Sequence, residues 1–315
     1  MLCLSVIVCA HNPSPDRLGR TVAGLMAQSL DPEKWQLLII DNASQDQTGF
    51  DNLDFKGHPH ARVVRENTLG LTAARLRGFA ESTAEIIVLV DDDNILNPTY
   101  LETVVRVFTE DPKLGAIGGR SYPEFESPPP AWLSEFYGLL ALRDPGDEPL
   151  RASWTAGAER TYPACSPIGA GLAMRRSGAV AYAEALSKDA RRRIFDRTGT
   201  QLMSGGDNDL VMTILETGLA VSYLPNLQLT HIIPSGRMQR AYLGTLNRAI
   251  ARSWVRVLAI HGIRPWLPVA KSTVPLRQTK SWFRTRAWNR PASWIRWQGA
   301  CGHFEGLADL NDTIT

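Results

Sequence analysis

The sequence predicts an α/β protein with a mostly parallel central sheet, helices on both faces and a helical C-terminal extension. Short β-branched runs alternate with helix-like segments from residue 1 to residue 120, the pattern of strand–helix–strand units. Beyond His231 the apolar residues recur at helical spacing. A chain of 315 residues can bury one large α/β core plus an appendage, or two modest domains.

The strands read first as LSVIVCA from Leu4, WQLLIID from Trp35, ARVVRE from Ala61, EIIVLVDD from Glu85 and LGAIGG from Leu114. Each is an apolar run too short for a helix and broken by polar residues or glycine. Between them, residues 16–29 and 72–82 carry apolar side chains at helical spacing, and Pro98 with Thr99 opens a helix over 100–109. Residues 122–167 are irregular, with three prolines at 128–130 and breaks at Pro145 and Pro149, a long excursion of the kind that forms functional loops. Regular structure resumes at IGAGLAMRR from Ile168, passes through a helix beginning near Asp207, and reaches a strand AVSYLP from Ala220. Leu243, Leu246, Ile250, Trp254, Val257 and Ile260 then make one apolar helical face.

Hydrophobic residues are 44% of the chain and charged residues 21%, ordinary for a globular protein and unlike disordered or coiled-coil sequences. Cys3, Cys9, Cys165 and Cys301 lack CxxC spacing, which argues against a disulfide framework or zinc site. MLCLSVIVCA lacks the basic start and cleavage site of a leader, and no run is long enough to span a bilayer. A cytoplasmic location is therefore expected. The net charge of +2 conceals an asymmetry: no Asp or Glu occurs from Thr217 to Phe304, while Lys and Arg recur throughout.

In open parallel sheets ligands bind beyond the carboxyl ends of the strands. The first strand ends in His11 and Asn12, the second in Asp41 and Asn42, and the fourth in Asp91, Asp92, Asp93 and Asn94. Three successive carboxylates repel one another, and a divalent cation, Mg2+ or Mn2+, relieves that repulsion while leaving positions for phosphate oxygens. A solvated acidic turn is the plainer alternative. Gly169 and Gly171 flank Ala170 and either allow close approach of a ligand or serve a tight bend.

In the order of its motifs the chain resembles the family 2 glycosyltransferases over about residues 1–235. LSVIVCAHNP is similar to the family's opening strand and nucleotide loop, LLIIDNASQDQT to its second strand, RENTLGLTAARLRGF to the following helix, VDDDN to its DxD motif, IGAGLAMRR to its acceptor-side strand and GGDNDL to the segment that supplies the base. The resemblance implies a GT-A fold, with a catalytic domain over 1–235 divided into a nucleotide-sugar half (1–120) and an acceptor half (121–235), and an extension over 236–315. It implies inverting, metal-dependent transfer from a UDP- or GDP-sugar to a saccharide or lipid-linked acceptor. Donor contacts fall on His11, Asn12, Asp41, Asn67, Arg75, Asp91, Asp92 and Arg237; metal ligands on Asp93, Asp91 and His231; the general base on Asp207. Gly169, Ala170, Gly171 and Asp209 fall on the acceptor side. Asp207 also suits a helix N-cap, and His231 a hydrogen-bonded core histidine. Gly206 departs from the pattern, since a glutamate is common there. HIIPSGRMQRAYLGTLNRAI is similar to bacterial enzymes of surface or exported polysaccharide synthesis.

Six tryptophans, Trp254, Trp266, Trp282, Trp288, Trp294 and Trp297, lie in the basic block. Residues 277–297 interleave the last four with arginine, which suits an anionic membrane surface or packing back on the domain; no nucleic-acid-binding motif accompanies them. A nicotinamide-dependent oxidoreductase is disfavoured because HNPSPDRLG holds no G-x-G-x-x-G turn. A sugar nucleotidylyltransferase and a catalytically silent sugar-nucleotide scaffold are the alternatives.

Overall fold

The computed structural model describes residues 2–155, 157–199 and 201–313. Four parallel strands, β1 (Leu4–Ala10), β2 (Trp35–Asn42), β3 (Ala61–Glu66) and β4 (Ile86–Asp91), lie side by side in the order β3-β2-β1-β4. Successive side chains of a strand face opposite sides. Val6, Val8, Leu37 and Ile39 accordingly join one core, whereas Ile7, Leu38 and Ile40 join the other. The first core is closed by α1 (Pro15–Met26) through Leu18, Val22 and Leu25. A four-residue turn of helix, α2 (Thr48–Asp51), follows β2, and α3 (Leu71–Glu81) covers the opposite face with Ala74 and Phe79.

The other half of the sheet is mixed. After β5 (Asn94–Leu96) and α4 (Tyr100–Glu110) comes the twelve-residue β6 (Leu114–Phe125), then β7 (Leu150–Ala152), β8 (Ala173–Arg175), α5 (Arg176–Lys188), α6 (Gly206–Glu216) and β9 (Ala220–Ile233). β8 inserts antiparallel between β4 and β6, β9 runs parallel to β6, and β7 and β5 pair antiparallel with the two ends of β9. The strand read as AVSYLP from Ala220 therefore continues to Ile233. Proline, which has no amide donor, is tolerated there because the ladder skips: Gly118 pairs with Tyr223 and Arg120 with Gln228. β5 and β7, three residues each, are too short to show a period in the sequence.

The excursion over 122–167 is anchored by its own side chains. Tyr162 stacks edge-on with Trp254 at 5.0 Å and donates to Asn208 Oδ1 at 2.8 Å; Trp154 Nε1 donates to the Thr161 carbonyl at 2.8 Å. These rings fold the loop onto the domain.

The extension comprises α7 (Arg240–Ile260), α8 (Val274–Thr285) and α9 (Pro291–Asp309). Glycines bring α7 and α9 together. A Cβ on Gly302 would fall on the Arg248 carbonyl, and one on Gly244 would fall within the Trp294 ring. Backbone cannot yield as a flexible side chain does, so Gly302→Ala is expected to cost about 1–3 kcal/mol of unfolding free energy, measurable by urea titration; an unchanged midpoint would show that the helices have slack. Arg248 with Glu305 and Arg252 with Asp309 pair along the same seam.

Candidate active site

Beyond the carboxyl ends of β1 and β4 opens a cavity of about 480 Å³, lined among others by His11, Asn12, Asp91, Asp92, Asp93, Gly169, Ala170, Asp207, His231 and Arg237. The first two come from the turn after β1. Asn12 is left-handed (φ 45°), its amide donates to Ser44 Oγ at 2.8 Å and its Oδ1 accepts from the Gln45 amide at 2.8 Å; His11 Nδ1 lies 2.7 Å from the Asn42 carbonyl. The turns after β1 and β2 are thus tied into one loop cluster.

Asp41 supports that cluster from below. Its carboxylate accepts from the Ser44 amide at 3.0 Å, from Gln47 Nε2 at 3.2 Å and from Arg65. Burial pushes this carboxyl up, but the bonds from Ser44, Arg65 and Gln47 more than offset it and hold it below the usual range. Asp41 does not line the cavity, nor does the exposed Asn67, whose Oδ1 meets Arg65 Nε at 3.4 Å. Asn42 does: it accepts from the Gly70 amide at 2.8 Å and donates to the Thr68 carbonyl at 2.7 Å, fixing the turn into α3.

The acidic run sits where β4 turns into β5. Because Asn94 pairs with His231 in the β5–β9 ladder, His231 Nε2 stands 3.2 Å from Asp93 Oδ1, and Arg237 Nη1 meets Asp93 Oδ2 at 2.9 Å. Burial acts to raise the Asp93 carboxyl, yet the His231 bond and the His231 and Arg237 charges bring it down to about 2. Its neighbours go the other way. Burial and then the Asp93 charge push Asp92 up to about 7 and raise Asp91, and no side chain among the described residues hydrogen-bonds either carboxylate. His231 Nδ1 is buried without a partner. The run thus holds one carboxylate paired with Arg237 and His231 and two with no hydrogen-bonding side chain. Among the described residues no group of three or more His, Cys, Asp or Glu side chains is arranged to hold a metal ion by itself, but Mg2+-like ions are commonly held by one or two carboxylates with phosphate oxygens completing the shell. The donor set fits that mode.

The opposite wall is the first turn of α6. Asp207 Oδ2 accepts from the Gly169 amide at 3.0 Å, and Oδ1 is paired with Arg75 of α3, which also meets Asp196 at 3.2 Å. Burial disfavours the Arg75 cation, but Asp207 and Asp196 outweigh it and raise its pKa. A side chain at Gly169 would collide with the Asp207 carboxylate, so this glycine permits close approach; Gly171 instead has φ 74° and its carbonyl is held by Tyr100 Oη at 2.5 Å, away from the cavity. Asp209 is also elsewhere. It is fully buried, bound by Arg192 Nη2 at 2.6 Å and His261 Nε2 at 2.8 Å. Burial pulls His261 down, but the bonds to Asp209 and Glu216 more than offset it and raise its pKa. That cluster braces α6 against the end of α7. Cys9 lines the cavity, and burial pushes its thiol up to about 12, far from a nucleophilic thiolate.

The profile of glycosyl transferase family 2 matches residues 5–179. The chain belongs to glycosyl transferase family 2. Its fold is accordingly GT-A, with the C-terminal helices added. Among curated relatives, a glucosyl-dolichyl phosphate glucuronosyltransferase of Haloferax volcanii is 25% identical over 45% of this chain and 46% of its own length. A poly(ribitol-phosphate) β-N-acetylglucosaminyltransferase of Staphylococcus aureus is 28% identical over 38% of this chain and 39% of its own. Polypeptide N-acetylgalactosaminyltransferase 3 of Taeniopygia guttata is 24% identical over 88% of this chain and 44% of its own. The chain thus spans less than half the length of each of these relatives.

Several further residues line the cavity of this family 2 chain. Asp196 and Arg197 precede α6 without any motif, and Leu139, Tyr242 and Ile250 reach the cavity from the Pro-rich excursion and from α7. Only Ile250 carried a signal, as part of an apolar helical face.

Proposed function

We propose that the chain transfers a sugar from a nucleoside-diphosphate donor, a UDP- or GDP-sugar, to a hydroxyl of a saccharide or lipid-linked acceptor, with inversion. The observation that carries this reading is one cavity with Asp91, Asp92 and Asp93 on one wall and Asp207 on the other, near enough that the Asp207 charge helps raise the Asp91 carboxyl. Asp207, oriented by Arg75 and the Gly169 amide, takes the proton of the acceptor hydroxyl. The new bond forms at the anomeric carbon as the bond to the diphosphate oxygen on its far side breaks. His11, Asn12 and Arg237 frame the donor end, where Asp93, Asp91 and His231 would hold Mn2+ or Mg2+. Such a cation supplies charge neutralisation for the departing diphosphate. Residues 1–235 form the catalytic unit, with the nucleotide half over 1–120 and the acceptor half over 121–235; residues 236–315 add a wall through Tyr242 and Ile250. Bacterial polysaccharide synthesis suits the relative that acts on poly(ribitol-phosphate).

A thermal-shift panel of nucleoside diphosphates and nucleotide sugars, each with and without Mn2+, tests the assignment, because a ligand that binds only the folded state raises its apparent stability. A Mn2+-dependent rise with one nucleotide is expected, and donor turnover separates transfer from a silent scaffold. No rise with any of them sinks the reading. Formation of a sugar nucleotide from a sugar phosphate would favour the nucleotidylyltransferase.

An anionic membrane surface suits the extension. No helix among the described residues is long and apolar enough to cross a membrane, yet Leu267, Leu276, Phe283 and Trp288 are 85%, 73%, 64% and 58% exposed, beside the exposed Arg277, Lys280, Arg284, Arg286 and Arg290. Trp294 and Trp297 by contrast pack inward, under Arg240 and against Trp282. Leu276→Ser with Phe283→Ser is expected to lower partition onto phosphatidylglycerol vesicles at least about tenfold, since each interfacial side chain carries roughly 1.5 kcal/mol or more. Equal sedimentation of parent and variant would reject docking.

A further inference from the structure

We infer that Asp196 is a positioning residue for sugar transfer, supplying through space the carboxylate that the chain lacks at position 206. This rests on the reading of Asp207 as the base. Gly206 opens α6 immediately before Asp207. The ideal position of a Cβ on Gly206 coincides with the carboxyl group of Asp196: both oxygens and the carbon lie closer to it than any van der Waals contact permits. The space a side chain at 206 would occupy is therefore filled by a carboxylate from ten residues earlier in sequence.

That carboxylate is held in place and does specific electrostatic work. Asp196 is 5% exposed, accepts from Thr72 Oγ1 at 2.9 Å and meets Arg75 Nη1 at 3.2 Å. Arg75 gives its other terminal nitrogen to Asp207 Oδ1. The surrounding backbone fixes the segment, with the Leu71 amide donating to the Arg197 carbonyl at 3.0 Å and the Gly205 amide to the Phe195 carbonyl at 2.8 Å. One guanidinium thus lies between two carboxylates. Asp196 turns the Arg75 fork so that one arm meets the base, and it shares the positive charge that Asp207 would otherwise take alone. Without it the pair Arg75–Asp207 becomes a closed ion pair, in which the carboxylate is a poorer acceptor for the hydroxyl proton.

The test uses the full-length chain with Mn2+ and a panel of UDP-glucose, UDP-N-acetylglucosamine, UDP-glucuronate and GDP-mannose, the donor with the highest parental turnover being carried to the variants. Asp196→Asn keeps the shape and removes the charge. Its kcat is expected to fall about 10–100-fold, the usual weight of a partner that orients a reacting group, with donor KM within about twofold of the parent. Asp196→Gly combined with Gly206→Glu places a carboxylate on the opposite strand of chain and is expected to recover most of the kcat lost by Asp196→Gly alone, an effect a merely structural residue would not produce. A parental kcat in Asp196→Asn overturns the inference, and so does a double variant no faster than Asp196→Gly. If Asp196→Asn fails to fold, the relocation pair decides alone. Asp207→Asn is the control: its inactivity beside an unimpaired Asp196→Asn rejects Asp196 only, whereas an active Asp207→Asn rejects the base on which the inference depends.

Discussion

Asp207→Asn is expected to lower the turnover of sugar transfer by roughly 10²–10⁴-fold, the weight of a positioned general base, while donor affinity stays within about twofold. The substitution is nearly isosteric. Its carboxamide oxygen can still accept from Arg75, so α3 and α6 remain joined, whereas the amide nitrogen gives up the bond from Gly169 and the capacity to take the acceptor proton disappears. Steady-state kinetics with saturating donor, alongside calorimetric titration of the nucleoside diphosphate, separates the two quantities. A loss in donor affinity as large as the loss in kcat would mean that Asp207 serves binding and that the proton goes elsewhere.

The second large effect is expected at Asp93. Asp93→Asn should weaken Mn2+-dependent binding of the nucleoside diphosphate by roughly tenfold to a hundredfold, corresponding to about 1.5–3 kcal/mol for one charge-assisted contact, and leave any metal-independent binding unchanged. Asparagine is the informative replacement. Asp93→Ala would leave Arg237 and the buried His231 without their carboxylate, and breaking a buried pair costs about 3–5 kcal/mol in stability, so lost binding could not be told from lost folding. Metal-dependent binding of parental strength in Asp93→Asn would remove Asp93 from the metal's ligands and leave it as the anchor of Arg237 and His231.

Much of this arrangement is legible in the sequence. The strands from Leu4, Trp35 and Ala61 are short apolar runs bounded by polar signals, and the Asp91–Asp93 run is conspicuous because like charges seldom gather at a strand end without reason. The passage of β9 through Pro225 was less legible, since the run AVSYLP ends there and only the skipped register with β6 carries the strand on to His231 and Ile233. Asp196 was invisible for a different reason. Its importance comes from Thr72, Arg75 and Gly206, which are near it only after the chain has folded. Asp209 misled in the opposite sense: two residues beyond Asp207 on a helix, it necessarily faces away and is spent on Arg192 and His261.

The packing of α7 constrains how this protein could acquire new substrates. One side of that helix gives Tyr242 and Ile250 to the cavity and places Ser253 and Val257 against Gly205 at the start of α6, and the opposite side is pressed onto Gly302 and Gly306 of α9. A surface loop can drift in sequence without consequence, but a helix committed on two opposite sides cannot. Variation in what the cavity admits should therefore concentrate in Leu139 and its neighbours on the Pro-rich excursion, and changes in α7 should arrive only in company with compensating changes in α9.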